Sequence, residues 1–380
     1  MKLDLLVRNG HVVDPLQNID GKMDIGVKNG VITPAPLGTE AVCSVDASGL
    51  YVFPGLIDFH THIFHTGSAI SVNPAFLPPT GVTAAVDAGT AGCTNFRAFY
   101  EGVISSSPVL IKSYLNVYGA GQPDTNIQEK FDPAEYRPAQ IKRLVETYTD
   151  TILGLKIRYS KGIAASLEAL KETLRIAREL KLKVCVHTTN PPSSLDGVAE
   201  LLEKDDVYCH AYQGMGEETI LDAAGGIRES IHKARSRGVI FDSANGRSNF
   251  SFPVALAAMK QGFHPDIIST DWTLDKLNYS PHAKNLPYLM AKFLTMGMSL
   301  REVVRAVTQT PARLMGLEGK IGTLRPGARG DIAVFKKISQ RIVHQDFAGR
   351  TYETKELFLP QLVAIGGELV FCQGDFALAE

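Results

Sequence analysis

The stretch GLIDFHTHIF (residues 55–64) sets two histidines, His60 and His62, at the end of an apolar run. Along a β-strand, residues i and i+2 face the same side, so both imidazoles point into one space. Either they share a task there or two polar rings happen to share a face. The remainder of the chain bears on that choice.

Downstream of this run, short apolar segments alternate with longer helical ones. The strand candidates are VTAAVDAG (82–89), VLIKSYLNVYG (109–119), TILGLKIR (151–158), LKVCVHTT (182–189), DVYCHAYQG (206–214), GVIFDSA (238–244) and DIISTDW (266–272). Between them, SLEALKETLRIARELK (166–181) repeats Leu167, Leu170, Leu174 and Ala177 at helical spacing. IRESIHKARSRG places another helix before the seventh strand. PYLMAKFLTMG and SLREVVRAVTQTPARLMGL place helices after the eighth. Eight strands joined by helical crossovers predict an α/β fold, a (β/α)8 barrel of the TIM type, over residues 54–319.

The ends of the chain read differently. LDLLVRNGHVVD (3–14) and MDIGVKNGVIT (23–33) each carry an Asn-Gly step between alternating apolar runs, a hairpin signal. GDIAVFKK (330–337) and LVAIGGELVF (362–371) repeat the strand pattern, the latter across Gly-Gly. Residues 1–53 and 320–380 are therefore expected to build one small β-sandwich.

Bulk properties bound the function. The chain has 380 residues, 44% of them hydrophobic and 21% charged, with a formal net charge of −1. That balance gives no pull toward nucleic acid or anionic membranes. No stretch approaches the roughly 20 apolar residues that span a bilayer, and the start lacks a signal-peptide core. Five dispersed cysteines without a CxxC pair read as reduced thiols in a cytoplasmic protein. Cys185 and Cys209, in apolar strand-like runs, read as packing residues. Self-association is compatible with a barrel of this size.

Barrels of this type carry reactive groups at the C-terminal ends of their strands. His60 and His62 close strand 1, Lys156 lies near the end of strand 4, His187 ends strand 5, His210 ends strand 6 and Asp271 ends strand 8. Four of the chain's ten histidines thus fall on one rim. Singly, each has an ordinary reading: a hydrogen-bonded core histidine, an aspartate capping a turn, a lysine snorkelling to solvent. ILGLKIR, however, looks buried, and an ammonium there is costly unless something relieves it.

DFHTH (58–62), the strand-4 lysine, two later histidines and the aspartate of STDW together resemble the amidohydrolase superfamily, as does the closing GKIGTLRPGARGDIAVF (319–335). The likeness is strongest to the amidohydrolase/deacetylase metallohydrolase branch, often labelled dihydroorotase-like. It implies that Lys156 is carboxylated by CO2 and bridges two divalent ions, usually Zn2+. It assigns His60, His62 and Asp271 to the more buried ion and His187 and His210 to the more exposed one. A hydroxide bridging the ions would attack a carbonyl carbon, with Asp271 as general base and then acid. Asp58 would orient the histidine pair.

The expected substrate is a small molecule, an N-acyl or O-acyl α-substituted carboxylic acid. Arg158, two residues after Lys156, would hold the carboxylate; His65 and Arg247 are weaker candidates. Dihydroorotases carry an arginine two residues after the second histidine, where this chain has Phe64. DSANGRSNFSF (242–252) also departs from the histidine-containing sequence expected in the branch. The glycine-rich loop 213–226 either folds over the site or is ordinary surface. Cyclic-amide hydrolysis of dihydroorotase or hydantoinase type, mononuclear deamination and a metal-free scaffold are the rival readings.

Overall fold

The barrel is built first from its strands. The computed structural model describes all residues except 1, 125, 128, 165, 275–280, 375, 377 and 380. The chain starts with β1 (Leu3–Asp14), β2 (Ile19–Lys28), β3 (Val31–Thr33), β4 (Ala41–Asp46) and β5 (Tyr51–Pro54). Then come β6 (Leu56–Thr61), β7 (Val82–Gly92), β8 (Leu110–Asn116), β9 (Ile152–Arg158), β10 (Lys183–His187), β11 (Val207–Cys209) and β12 (Ile240–Asp242). These seven form one parallel sheet in sequence order. Every described residue of β7 is buried, as parallel strands covered on both faces require.

The expected eighth strand is not a ladder. Residues 266–272 close the gap between β12 and β6 through single bridges, Asp242 to Ile267 and Thr61 to Trp272. Asp271 N–H donates to the His60 carbonyl (2.8 Å) and His62 N–H to that of Trp272 (3.0 Å). Asp271 adopts a left-handed φ of 50°, which interrupts an extended run. Backbone bonds from Ser243 N–H to the Ile267 carbonyl (3.0 Å) and from Asn245 N–H to that of Ser269 (3.1 Å) hold the other edge, and side chains reinforce both. Asp58 accepts from the Thr270 amide (3.1 Å) and hydroxyl (2.6 Å), and Asp242 from the Ser269 hydroxyl (2.6 Å).

Helices cover the outside. The helix Leu167–Glu179 buries Leu170, Leu174 and Ala177 of the expected stripe, with Ile176 beside them, and leaves Leu167 half-buried. The run 299–317 forms two helices, Leu300–Ala306 and Gln309–Leu314. Thr308 takes a non-helical backbone between them, and Pro311 three residues on cannot donate into a continuous helix.

In the terminal sheet, β13 (Ile332–Gln345), β14 (Thr351–Ile365), β15 (Glu368–Cys372) and β16 (Leu378–Ala379) join β1–β5. The sheet branches at β1, whose first half pairs with β4 and second half with β5. Leu5, Val12, Val27, Val45, Val52, Val334 and Leu362, from both branches, share one core. Asn29-Gly30 makes the expected hairpin turn between β2 and β3, and Gly366-Gly367 that between β14 and β15. Asn9-Gly10 does not. It is a bulge inside β1, with Asn9 at φ 59° and its amide held by Asp24. A Cβ on Gly10 would stand 2.3 Å from Val52, so the glycine there serves close packing instead of a turn.

Candidate functional site

The strand ends converge as the alternation predicts. His60 and His62 rings lie 6.0 Å apart, and both Nε2 atoms face Asp271 Oδ1, at 3.7 and 3.4 Å. The His60 ring is 5.3 Å from that of His210, which is 4.2 Å from that of His187. Lys156 Nζ lies 3.4 Å from His60 Nε2. All six side chains are buried. Five of them, with His210 just behind, line a cavity of about 910 Å³.

Local backbone choices make this approach possible. Gly89 in β7 sits where a Cβ would be 2.4 Å from that of Lys156, so only glycine lets the lysine stem pass. Gly246, at φ 49°, lies where a Cβ would meet Asp271 Oδ2 at 2.3 Å. His210 and Ala244 are themselves left-handed, at φ 63° and 35°.

Three of the four rings are held from behind. His60 Nδ1 faces Asp242 Oδ2 at 3.3 Å, and His62 Nδ1 faces the Thr90 hydroxyl at 2.8 Å, itself bonded to Asp87. His210 Nδ1 donates to the Ala244 carbonyl at 2.7 Å. Asp242 backs the ring of the first histidine, while Asp58 accepts from the His60 backbone amide and from Thr270. Asn249, within the stretch that lacks the expected histidine, donates from Nδ2 to Asp271 Oδ2 at 2.8 Å and accepts from Thr189. No spacing rule marks Asn249 or Asp242 as site residues, because their partners come from distant strands.

Burial sets the protonation states. It pulls His187 well below the usual imidazole range and His210 down to about 3, leaving both neutral. It pushes Asp58 up to about 7 and Asp242 up to about 6. For Lys156, burial favours the neutral amine, while the neighbouring Cys185 and Cys209 sulfurs and the Asp271 carboxylate favour the ammonium, and the net direction is upward.

Two observations fit divalent cations here. One atom each from His60, His62 and Asp271 lies within 4.8 Å of the others. His210 Nε2 is buried with no hydrogen-bond partner, which a neutral imidazole facing a metal would show. Cys185 and Cys209, expected to pack, also reach this floor: their sulfurs are 3.1 Å apart, and Cys185 Sγ is 3.4 Å from Lys156 Nζ.

Arg158 lines the cavity, and its Nη1 is bonded to the buried Glu129 at 2.5 Å. Glu129 also accepts from Asn116 and Gln122. Arg247 lines the cavity too. His65 is exposed and does not line it. Phe64 is buried against Phe99, with ring centroids 4.8 Å apart, and points into core. None of residues 213–226 borders the cavity, whereas Gln122, Asp124, Asn126 and Ile127 line it.

Comparison with known proteins agrees with this geometry. A deacetylase of Agrobacterium fabrum is 33% identical over 347 residues, covering 90% of this chain and 83% of that protein. A deacetylase of Brucella anthropi is 31% identical, covering 93% and 89%. A dihydroorotase of Citrifermentans bemidjiense is 24% identical, covering 87% and 89%. Among solved structures, one described as an adenine deaminase superposes with a TM-score of 0.88 at 27% identity, covering 97% and 99%. One described as a dihydroorotase does so at 0.85 and 30%, covering 97% and 98%. The model of the amidohydrolase family matches residues 51–370, and the chain belongs to that family.

Proposed function

We propose that the protein is a binuclear zinc hydrolase that deacylates N-acyl or O-acyl α-substituted carboxylic acids. One observation carries this reading: a buried lysine amine stands 3.4 Å from His60 Nε2 on a rim shared with three more histidines and an aspartate. As a carbamate, Lys156 becomes an anion suited to bridging two cations. His60, His62 and Asp271 would hold one, and His187 and His210 the other. When bound, the ions supply hydroxide near neutral pH and polarise the scissile carbonyl.

The chain's own residues do the rest. Asp271 is placed to accept a proton and return it to the leaving nitrogen or oxygen. Asn249 fixes its plane, engaging Oδ2 while Oδ1 faces the imidazoles. Glu129 steadies Arg158 and leaves the remainder of its guanidinium for a carboxylate in the cavity. Ile70, Ile127, Ile163 and Leu274 on the wall suit an apolar substituent on the substrate. Phe64, turned into the core, leaves that position without the arginine a dihydroorotase would use. The free thiols of Cys185 and Cys209 suit a reducing compartment, the cytoplasm. No helix among the described residues is long and apolar enough to cross a membrane.

The test is a paired assay. Protein stripped of metal, then loaded with zinc and bicarbonate, is offered acetylated α-hydroxy and α-amino acids of either hand beside dihydroorotate and a hydantoin. The reading expects turnover of the acyclic substrates at two zinc per chain. Turnover of the cyclic amides alone would replace it with cyclic-amide hydrolysis, and ammonia release from an aminopurine at one zinc with deamination.

A further inference from the structure

Beneath the imidazole rim lie two thiols that the proposed hydrolysis does not use. Cys185 is two residues before His187 on β10, and Cys209 ends β11 just before His210. Both are buried, at 2% and 0% exposure. Their sulfurs, with one ring nitrogen of His60, all lie within 4.8 Å of one another. Lys156 Nζ completes the group, 3.4 Å from His60 Nε2, 3.4 Å from Cys185 Sγ and 4.0 Å from Cys209 Sγ, the sulfurs being 3.1 Å apart.

These separations resemble the edges of a coordination tetrahedron. With Zn–S near 2.3 Å and Zn–N near 2.0–2.1 Å, tetrahedral edges run from about 3.3 to about 3.8 Å. To reach them the two sulfurs must part by roughly 0.7 Å and Cys209 Sγ must close on Lys156 Nζ by roughly 0.4 Å. We infer that His60, Lys156, Cys185 and Cys209 form a second, mononuclear site for one thiophilic divalent cation such as Zn2+ or Cd2+. Two thiolates, a neutral amine and a neutral imidazole around a dication carry no net charge, which suits a dry interior. Occupation releases the protons of the thiols and of the ammonium.

The site and the carbamate exclude one another. An amine whose lone pair is bound to a cation cannot add to CO2, and His60 cannot serve both arrangements. A cation arriving before CO2 would therefore lock the protein in an inactive form. That exclusion rests on the function proposed above; the site itself rests on the four donors alone.

Cadmium provides the probe. The variant C43S/C93S/C372S, which keeps only the buried pair, is stripped of metal and CO2 under a phosphine reductant and titrated with Cd2+. The expected result is a thiolate-to-cadmium charge-transfer band that saturates at one equivalent. Lys156→Met should weaken cadmium binding at least tenfold. Prior bicarbonate should suppress the band severalfold. Absence of the band, with the fold retained by circular dichroism, would overturn the site. A band indifferent to Lys156→Met would overturn the amine as a ligand. A band indifferent to bicarbonate would overturn the exclusion. Deacylation by the same variant, loaded with zinc after bicarbonate, is read separately. Its absence beside an intact band counts against the proposed function and leaves the thiolate site standing.

Discussion

The two halves of the barrel bring donors to the rim in different ways. In β6 to β9, longer paired strands do it: Lys156 sits in register with Asn116 and Cys185, His60 lies where the β6–β7 register shifts, and β7 yields at Gly89, a glycine free to adopt φ 84°. Beyond β10 the strands shrink to three residues, and the last segment has no ladder. There residues that are not glycines, His210, Ala244 and Asp271, turn through left-handed backbone. Such conformations cost about 1–3 kcal/mol each and persist only where surroundings enforce them. The lesson is that pleat places a side chain cheaply at fixed spacing, whereas strain re-aims one where the pleat would point it elsewhere.

If both modes serve one reaction, a donor from each half is equally indispensable. Asp271→Asn and Lys156→Ala are both expected to reduce kcat by about 10²–10⁴-fold or more. Circular dichroism should be unchanged. Lys156→Ala should also lose zinc by elemental analysis, and a short carboxylate such as propionate should restore part of its activity by standing in for the carbamate. An unaffected Lys156→Ala enzyme would confine the chemistry to the strained half.

A second prediction tests a pleat-delivered binding residue. Arg158 shares the face of Lys156, and Arg158→Lys keeps the charge while losing the planar fork. KM for a carboxylate-bearing substrate should rise about 10–100-fold, the loss expected of a charged hydrogen bond worth about 1.5–3 kcal/mol. kcat should hold. A neutral amide analogue of the same substrate should show no such change, and an equal effect on both would remove Arg158 from carboxylate recognition.

The same contrast explains how much could be read in advance. His60, His62 and Lys156 obey a period of two within recognisable apolar runs, so their shared face follows from spacing. His187 ends β10, whereas His210 follows β11 and Asp271 lies in a segment without a ladder, and the approach of these two depends on left-handed backbone that no periodicity reports. The failure of 266–272 to form a ladder was hidden for that reason, since IISTDW reads as an ordinary strand. Asn9-Gly10 misled in the opposite sense: the left-handed asparagine that makes a hairpin also makes a bulge. Asp242, Asn249 and Glu129 act through partners far away in sequence, at separations of 182, 22 and 29 residues. Only the folded chain brings them together.

The third prediction concerns the splint that reinforces the segment 266–272. Asp58 is buried and its carboxyl lies near 7, against 3.8 unperturbed, chiefly through burial. A carboxyl raised in the folded state contributes stability that is present at low pH and lost as pH rises toward 7. Chelator-treated protein should therefore lose stability between pH 4 and 7 more steeply than Asp58→Asn, by at most about 1.4 kcal/mol per pH unit. Urea midpoints across that range measure the slope. Parallel slopes would mean that Asp58 is already ionised at its Thr270 partners.

The smallest effect isolates strain from chemistry. Ala85 in β7 and Ala244 after β12 are both fully buried alanines, the first in a regular ladder and the second at φ 35°. Replacing either by glycine removes one methyl, worth about 0.8 kcal/mol, and frees the unfolded backbone by a further 0.5–1 kcal/mol or so. Ala85→Gly should thus cost about 1.5 kcal/mol. At position 244, release of about 1 kcal/mol of left-handed strain offsets most of that loss, so Ala244→Gly should lie within about 0.5 kcal/mol of the parent. Urea denaturation of the metal-free proteins compares the pair directly. Equal losses at the two positions would mean that the second half of the barrel holds its donors without strain, and the distinction between the halves would reduce to strand length.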